Sequence, residues 1–503
     1  MTASAFERVQ LSRRAFVAAT FAGGLILAGC ARASTPAKNA DTAIAAVESA
    51  RPHTGRTVAA TLTPQPTTLD LGGTLARTLA YSTDIPGPLI RANVGDEVAV
   101  TVTNGLDHPT SVHWHGIALR NDMDGAAPAT PNIDPGANFT YRFSVPDSGT
   151  YWAHPHTGLD ADYGLYLPLI VDDPREPGAY DAEWIVVLDD WTDGIGKTPQ
   201  QLYDDLHASS TSGGQMPGMP GMGSKPRMAG VGTSTLLGGD AGDINYPYYL
   251  INGRIPAAPT TFTAKPGQRI RIRIINAGSD TAFRVALAGH PMTVTHTDGY
   301  PVQPTAVDAL LLGMGERYDV TVTAGDGVFP LVAMAEGKNA VARALLSTGA
   351  GTAPDPTFQP SELNGRVGTV GTFAATSAAG LGSAKPDIAL SAVLSGTMMS
   401  YDWMINGRPY PDTQPLTIRQ GQRARLTFTN MTMMWHPMHL HGHTFGVIRP
   451  DGSPGPRKDT VIVLPMQKVV VDLVADNPGV WMLHCHNTYH QEAGMMTSLN
   501  YTT

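Results

Sequence analysis

A stretch of alternating hydrophobic and polar residues occurs three times along the chain. The copies are NVGDEVAVTVTN (residues 93–104), KPGQRIRIRIIN (265–276) and RQGQRARLTFTN (419–430), and each runs from a turn glycine to an asparagine. Side chains of a strand alternate between two faces, so each copy predicts a β-strand with one buried face. An INGR sequence also precedes the second and third copies, at residues 251–254 and 405–408. Repeats this far apart indicate duplicated β domains, since a solenoid would repeat every 20–50 residues or so.

The repeats and the composition between them predict the domain organisation. Short strands with regular turns and few helical patterns predict an all-β protein of three β-sandwiches, at residues 53–172, 180–350 and 387–503. Residues 35–52 and 351–386 are predicted to be linkers. Within the second domain, residues 209–239 are rich in Gly, Ser and Pro and predict a loop.

The amino terminus has the features of an export signal. Arg13 and Arg14 precede an apolar run that ends at Ala28 and is too short to cross a membrane. This arrangement resembles a twin-arginine signal, and residues 27–30 (LAGC) resemble a lipobox, in which Cys30 is acylated. Residues 1–34 are therefore predicted to be a signal that directs the protein to the periplasmic or cell-envelope face, with a lipid anchor on Cys30. In that case Cys485, the only other cysteine, has no partner within the chain.

Composition excludes two classes of protein. The formal net charge is −9 over 503 residues and no basic cluster is present, which argues against a nucleic-acid-binding protein. Outside the first thirty residues, no stretch is apolar enough to span a bilayer.

Histidines concentrate in short segments with a spacing of two. Ten of the sixteen histidines lie in four segments. In a strand, residues i and i+2 point to the same face, so each His-x-His pair offers two imidazoles to one side. Imidazole suits copper, zinc, iron or nickel, and the pairs alone do not choose the metal. The segments are His113-Trp114-His115, His154-Pro155-His156, His436-Pro437-Met438-His439-Leu440-His441 and His484-Cys485-His486 followed by His490.

The cysteine narrows the choice of metal. Strand geometry turns the sulfur of Cys485 to the face opposite its two histidine neighbours, and hence toward a separate site. Two imidazoles, a thiolate and a weak axial thioether form the ligand set of a blue-copper centre. His436, His490 and Met495 are available to complete such a set.

The sequence resembles the three-domain multicopper oxidases, in particular bacterial laccases and cuprous oxidases. The motifs HWHG, YWAHPH, HPMHLHGH and HCH-x3-H-x4-M occur in family order over nearly the whole chain after the signal. The resemblance implies cupredoxin-like Greek-key domains, four copper ions, a middle domain that serves as a spacer, and copper sites in domain 3 and between domains 1 and 3. The implied ligands are His436, Cys485, His490 and Met495 for type 1 copper, His113 and His439 for type 2 copper, and His115, His154 and His486 with His156, His441 and His484 for the type 3 pair.

The resemblance also implies the reaction. Substrate is oxidised at the type 1 copper, electrons pass through Cys485, and dioxygen is reduced to water. Oxygen reduction consumes protons, and Asp124 matches a family aspartate with that role, although a turn-capping aspartate is the alternative. The family's other acid often follows the last type 1 histidine directly. That position is Gln491 here, so Glu492 is the candidate replacement. His443 matches no ligand position and is predicted to be structural or to support a ligand.

The methionines bear on the substrate. Met216, Met219, Met222 and Met228 lie in the predicted loop, and thioethers favour Cu(I). The alternative is a low-complexity linker. Met434 matches a substrate-copper methionine of the family, but Thr432 stands where the family has an acid, and Asp402 near Met398 and Met399 is the candidate replacement. We expect a monomeric oxidase of Cu(I) with a role in copper tolerance, or else a laccase-like oxidase of phenols or Fe(II). A copper store is the third hypothesis.

Overall fold

The computed structural model describes residues 37–176, 178–211, 231–382 and 384–502. The predicted signal, including Arg13, Arg14 and Cys30, lies outside the described residues, as do the loop methionines, Met216, Met219, Met222 and Met228.

The first domain consists of short strands in two main sheets. One sheet has the order β1-β5-β7 and the other has the order β4-β9-β8-β6, while β2 and β3 form a separate ribbon. The elements are α1 (Ala37–Ala50), β1 (Thr57–Leu62), β2 (Gln65–Asp70), β3 (Leu75–Ala80), β4 (Ile90–Asn93), β5 (Glu97–Thr103), β6 (His113–His115), β7 (Asn138–Ser144), β8 (Gly149–His154) and β9 (Leu167–Asp172), with 3₁₀ turns at Asn121–Met123 and Asp160–Tyr163.

The second domain has two six-stranded sheets. Their orders are β13-β10-β15-β20-β17-β18 and β14-β22-β21-β16-β19-β23. The elements are β10 (Ala182–Trp191), α2 (Pro199–Thr211), β11 (Thr233–Ser234), β12 (Gly239–Asp240), β13 (Tyr248–Ile251), β14 (Thr261–Thr263), β15 (Arg269–Asn276), β16 (Phe283–Leu287), β17 (Met292–Thr297), β18 (Tyr300–Val307), β19 (Ala309–Leu312), β20 (Arg317–Thr323), β21 (Val328–Ala335), β22 (Ala340–Ser347) and β23 (Val367–Gly368), with 3₁₀ turns at Ser361–Asn364 and Val370–Thr372.

The third domain has a six-stranded sheet, β25-β24-β27-β32-β29-β30, and a five-stranded sheet, β26-β34-β33-β28-β31. The elements are β24 (Ile388–Thr397), β25 (Asp402–Ile405), β26 (Leu416–Arg419), β27 (Arg423–Asn430), β28 (His436–Leu440), β29 (Phe445–Ile448), β30 (Pro454–Lys458), β31 (Thr460–Val463), β32 (Lys468–Val474), β33 (Val480–Cys485), α3 (Thr488–Glu492) and β34 (Met496–Thr502). The predicted all-β architecture of three sandwiches is confirmed. None of the described helices is both long and apolar enough to cross a membrane.

The sequence repeat corresponds to one structural unit used three times. Its strands are β5, β15 and β27, and each pairs in parallel with the first long strand of its domain and antiparallel with a later one. The terminal asparagines are Asn104, Asn276 and Asn430. Each of their side-chain amides donates to two carbonyls or more and accepts one N–H of the following loop. The alternation buries mainly one face of β5 and of β27, as predicted. The prediction is wrong for β15, which is buried on both faces because Arg271 and Arg273 pair with the buried Asp319. In all three domains the amide fixes the loop that leaves the strand.

Both predicted linkers contain structure. Residues 37–50 form α1, whose Glu48 carboxylate accepts hydrogen bonds from the backbone and hydroxyl of Ser144 in domain 1, at 2.9 and 2.7 Å. Residues 361–372 include two 3₁₀ turns and β23, and the nearby Phe373 is fully buried in the core that domains 2 and 3 share. Composition alone predicted linkers because the anchoring contacts are made by single residues far apart in the sequence.

Candidate metal centres

Neighbouring strands carry most of the predicted ligands. In domain 1, His113 on β6 lies opposite His154 on β8. In domain 3, His439 on β28 lies opposite His484 on β33, and Met438 lies opposite Cys485. Alternation along β33 therefore directs Cys485 away from the face that carries its histidine neighbours, as predicted.

Cys485 lies in a buried set with two imidazoles. Its sulfur is 3.6 Å from Nδ1 of His436 and 3.7 Å from Nδ1 of His490, and these two nitrogens are 3.1 Å apart. Met495 is also fully buried, and its carbonyl accepts the Cys485 N–H at 3.0 Å. The structure thus brings Cys485, His436 and His490 together, and the backbone of Met495 lies beside them.

The outer nitrogens of these two histidines are already engaged. Nε2 of His436 lies 2.8 Å from the Thr432 hydroxyl, and Nε2 of His490 lies 3.0 Å from Oδ2 of Asp243 in domain 2. Both Nδ1 atoms are therefore left to face the sulfur. Burial raises the pKa of the Cys485 thiol well above its usual value, so only a bound cation would hold it as a thiolate.

A tryptophan covers the same set. The Trp403 ring lies 4.2 Å from the His490 ring and 5.2 Å from the His436 ring, centroid to centroid. The Tyr401 hydroxyl donates to Asp243 at 2.7 Å, and Tyr401 is fully buried. These contacts exclude water from the sulfur and its two imidazoles.

A second centre contains eight histidines, four from domain 1 and four from domain 3. Pairs of facing nitrogens are close: Nε2 of His484 lies 3.3 Å from Nε2 of His156 and 3.1 Å from Nε2 of His441, while Nε2 of His486 lies 3.2 Å from Nδ1 of His115. The sets whose donor atoms converge within 4.8 Å are His113, His115 and His439; His115, His154 and His486; and His156, His441 and His484.

Hydrogen bonds behind the rings set their orientation. The Nδ1 atoms of five of these histidines bond to oxygens outside the centre, which leaves Nε2 pointing inward. The Nε2 atoms of His113, His154 and His439 are buried and have no hydrogen-bond partner. Converging lone pairs with no proton donor between them fit bound metal ions. The outer oxygens belong to Asp124 (for His113 and His441), Pro155 (for His154), Asp459 (for His439) and Cys485 (for His484).

His115 is oriented the other way round. Its Nε2 lies 3.1 Å from Oδ1 of Asp459, so its Nδ1 faces the centre. Burial would raise the pKa of Asp459, but the charge of Arg317 and hydrogen bonds from His115 and His439 hold it well below its usual value. Asp459 is therefore a carboxylate that selects the tautomer of His115.

Burial also sets the charge of the imidazoles. It lowers the pKa of His156 to about 3 and lowers the pKa of the other histidines predicted for the type 3 pair well below the usual value. These side chains are neutral donors at physiological pH, which is the state that binds a metal ion.

Two predicted proton-carrying residues have different surroundings. Asp124 is fully buried, and its carboxylate contacts Nδ1 of His441 at 2.9 Å and Nδ1 of His113 at 3.3 Å. Glu492 is exposed at the end of α3 and, within the described chain, hydrogen-bonds to no donor histidine. His443 bonds to the His441 carbonyl and the Tyr501 hydroxyl and belongs to none of the converging sets, so its position is structural.

The predicted substrate residues divide into buried and exposed groups. Met434 is buried, two residues before His436. Met431 and Met433 in the same loop are 56% and 72% exposed, and Met398 and Met399 at the tip of the β24–β25 hairpin are 40% and 58% exposed. The loop and the hairpin are joined by a hydrogen bond from the Met431 N–H to the Leu394 carbonyl, at 2.9 Å. Asp402, also exposed, lies at the start of β25.

Sequence reasoning missed two residues that hydrogen-bond to the predicted ligands but lie far from them in the sequence. Asp243 is separated by 247 positions from His490, and Asp459 by 344 positions from His115. Neither aspartate stands in a motif or at a spacing that would mark it. Only the arrangement of the three domains brings them to the imidazoles.

Comparison with known proteins gives the family. Multicopper oxidase domain models match residues 64–176, 182–351 and 385–503. The multicopper oxidase MmcO of Mycobacterium tuberculosis is 66% identical over 500 residues, which cover 99% of this chain and 98% of that relative. A copper resistance protein A homolog of Pseudomonas syringae pv. tomato is 28% identical, over 86% of this chain and 90% of its own length. Among solved structures, Fet3p, described as a multicopper oxidase that functions in iron import, has a TM-score of 0.74 at 21% identity and covers 89% of this chain and 90% of that one. This likeness confirms the cupredoxin-like fold.

Proposed function

This chain belongs to the multicopper oxidase family, and we propose that it is an exported enzyme that oxidises Cu(I) and reduces dioxygen to water. Copper and oxidase chemistry are properties of the family. The observation that carries the proposal is that one cysteine set and one eight-histidine set are adjacent along β33. Four Cu(I) ions supply the four electrons, and with four protons one dioxygen gives two waters.

We assign the donor sets to four copper ions. His436, Cys485, His490 and Met495 would hold type 1 copper. His113 and His439 would hold type 2 copper, and the remaining six histidines would hold the type 3 pair. The inward-facing nitrogens without partners and the neutral state of the rings support this assignment. When bound, the copper ions supply the one-electron redox chemistry and the reduction of dioxygen.

The chain itself connects the two sets and excludes water from both. Cys485 belongs to one set, and its sequence neighbours His484 and His486 belong to the other, so the path between the sets is only a few covalent bonds. Trp403 closes the cysteine set against solvent. Asp124 contacts two imidazoles of the second set, and we assign it the delivery of protons there.

The exposed methionines support Cu(I) as the substrate. Thioethers are soft donors that favour Cu(I), and large apolar side chains gain nothing from exposure to water. Met431 and Met433 lie in the loop that leads to His436, and the hairpin of Met398 and Met399 leads to Trp403. Asp402 adds a negative charge near the same hairpin. A cation could thus be bound close to the ligands of the cysteine set, in keeping with a role in copper tolerance.

Dioxygen uptake on Cu(I), Fe(II) and a phenol tests the proposal. Cu(I) should give the highest kcat/KM, whereas a preference for Fe(II) or the phenol would favour the laccase-like alternative. A copper store would not raise dioxygen uptake above the protein-free rate on any of them. Replacing Met398, Met399, Met431 and Met433 by Leu should raise KM for Cu(I) by about tenfold, which corresponds to about 1.4 kcal/mol of binding, and should spare the phenol. Met466→Leu is the control, because Met466 is 59% exposed but lies elsewhere.

The loop methionines have their own test. Deletion of residues 212–228 should raise KM for Cu(I) and leave phenol oxidation unchanged. Equal effects on both substrates would favour the low-complexity linker.

Export and anchoring are also proposals. Arg13, Arg14 and Cys30 support a twin-arginine route and a lipid anchor at the cell envelope. Partition of the mature protein between membrane and soluble fractions, compared with Cys30→Ser, tests the anchor. Gel filtration with light scattering tests the proposed monomer.

A further inference from the structure

One tight turn occurs at the same place in all three domains. It precedes β7, β20 and β32, and its central residue is Gly136, Gly315 or Met466, with φ of +73°, +82° and +57°. In each domain the backbone N–H of the repeat asparagine donates to the carbonyl of the residue directly after this central turn residue, at 2.9 to 3.2 Å. The three turns are therefore equivalent in backbone structure.

Their surroundings are not equivalent. A Cβ atom built at Gly136 would meet nothing within 4 Å, and Met466 is 59% exposed. A Cβ atom at Gly315 would lie 2.8 Å from Cδ2 of His486 and 2.9 Å from Cε1 of His115. Since Met466 shows that this turn accommodates a side chain, it is the two imidazole rings that exclude one at Gly315.

Arg317, the last residue of the domain 2 turn, contacts the eight-histidine centre through Asp459. The Arg317 guanidinium donates two hydrogen bonds of 2.7 Å to the carboxylate of Asp459 in domain 3 and one of 3.0 Å to the Thr150 carbonyl in domain 1. Asp459 in turn accepts from His115 through its carboxylate and from His439 through its carbonyl. Arg317 and Asp459 are both fully buried.

We propose that the Gly313–Arg317 turn of domain 2 is a positioning element of the eight-histidine centre. Gly315 sets how closely the His115 and His486 rings approach. Arg317 holds the Asp459 carboxylate in position to accept a hydrogen bond from the Nε2–H of His115. This hydrogen bond leaves Nδ1 of His115 without a proton and free to bind the metal. Domain 2 supplies no donor to the converging sets within the described chain, yet its turn contacts the donors of both other domains. This inference rests on the proposed function, in which these histidines bind copper.

Gly315→Ala tests the ring contact, with Gly136→Ala as the matched control. Both substitutions put alanine in a left-handed conformation at the same turn position, so their backbone cost is shared. Only Gly315→Ala presses on histidine rings. We expect it to weaken copper binding at the type 2 and type 3 sites by about 10- to 100-fold, the usual effect of disturbing groups around a ligand. The readouts are copper per chain in chelator-buffered copper, the type 2 electron paramagnetic resonance signal and the type 3 near-ultraviolet band, with the type 1 blue band as internal reference.

Arg317→Lys tests whether the Arg317–Asp459 contact sets the tautomer of His115, and this test is independent of Gly315. Lysine keeps the charge but cannot donate two parallel hydrogen bonds to Asp459. Arg271→Lys is its control, because Arg271 is also buried in domain 2 and binds Asp319 and Glu176 without contacting a donor histidine. Both variants should lose similar thermal stability, and only Arg317→Lys should change the type 2 resonance parameters and lower copper occupancy.

The outcomes separate the two proposals. Wild-type protein without blue, type 2 and type 3 signals would overturn the proposed function. Normal wild-type signals, together with equal copper affinity and spectra in Gly315→Ala and Gly136→Ala, or in the two arginine variants, would overturn the role of the domain 2 turn. If either Gly315→Ala or Arg317→Lys also loses its blue band, the other of these two variants decides the question, because it acts on the same centre through a different contact.

Discussion

The two donor centres differ in how many domains build them. The cysteine set draws all its donors from domain 3, on β28, at the end of β33 and on α3. The eight-histidine set takes half of its donors from domain 1 and half from domain 3, and domain 2 residues contact it. The donors of the first centre therefore come from one sandwich, with a single domain 2 contact from Asp243 to His490, whereas the second centre requires three domains to be packed correctly.

This difference shows what the middle domain contributes. It carries the same asparagine-ended strand as its neighbours, but its following loop leads to Ala282 and Phe283 in place of histidines. Its contribution comes instead from the turn at Gly315 and from Asp243, which bonds to His490. A spacer, the role that the family resemblance implied, describes only part of what this domain does.

The largest expected effects come from removing one centre at a time. Cys485→Ser should abolish the blue band and lower turnover by at least about 10³-fold, as when one member of a catalytic set is removed, while the histidine set retains copper. His439→Gln should do the reverse, keeping the blue band and losing the type 2 signal. Copper analysis, together with absorption and electron paramagnetic resonance spectra, shows which centre each variant has lost. If Cys485→Ser also emptied the histidine set, the two centres would not be independent in the way the domain contributions indicate.

Asp124→Asn should act only on the centre between domains. We expect reoxidation of the reduced enzyme by dioxygen to slow by about 10²-fold or more, the typical contribution of a positioned proton donor, while the blue band persists. Stopped-flow measurement of reduction by substrate and of reoxidation by dioxygen shows which of these two half-reactions is slowed. Asp122→Asn is the control, since Asp122 lies in the same 3₁₀ turn but pairs with Arg120. Unchanged turnover would remove Asp124 from the mechanism.

Asp243→Asn should act only on the cysteine set. Asparagine can still accept the His490 hydrogen bond, so the change removes a negative charge and destabilises the oxidised ion. The expected rise in reduction potential is about 65–130 mV, equivalent to about 1.5–3 kcal/mol for one electron. Thr432→Val, which removes a neutral partner from His436, should shift the potential less. Redox titration followed at the blue band measures both, and no shift in Asp243→Asn would show that the carboxylate does not tune this site.

The smallest effects concern the asparagine amides. Asn430→Ala and Asn104→Ala each remove equivalent loop contacts and should each cost about 1–3 kcal/mol in the free energy of unfolding. Asn430 fixes the loop before His436, and Asn104 fixes the loop before His113. We therefore expect the blue band to change in the first variant and the type 2 signal in the second. Denaturant unfolding and spectroscopy of both variants test this, and identical spectra would mean that the loops keep their positions without the amides.

Local periodicity predicted the fold and the groups of donors well. Alternation in residues 93–104, 265–276 and 419–430 specified equivalent strands, and the His-x-His spacing specified which imidazoles share a face. The contacts behind the donors could not be predicted, because Asp459 and Asp243 reach the histidines only through packing between domains. Helix α1 was missed for a related reason: an alanine-rich segment has the composition of a linker until a contact such as that of Glu48 with Ser144 fixes it.

The burial of the single described thiol has a practical consequence. Because Cys485 is fully inaccessible in the folded protein, an alkylating reagent can modify it only when domain 3 opens. The rate of alkylation at this position therefore reports how often the domain opens, and mass spectrometry of the modified peptide would measure that rate.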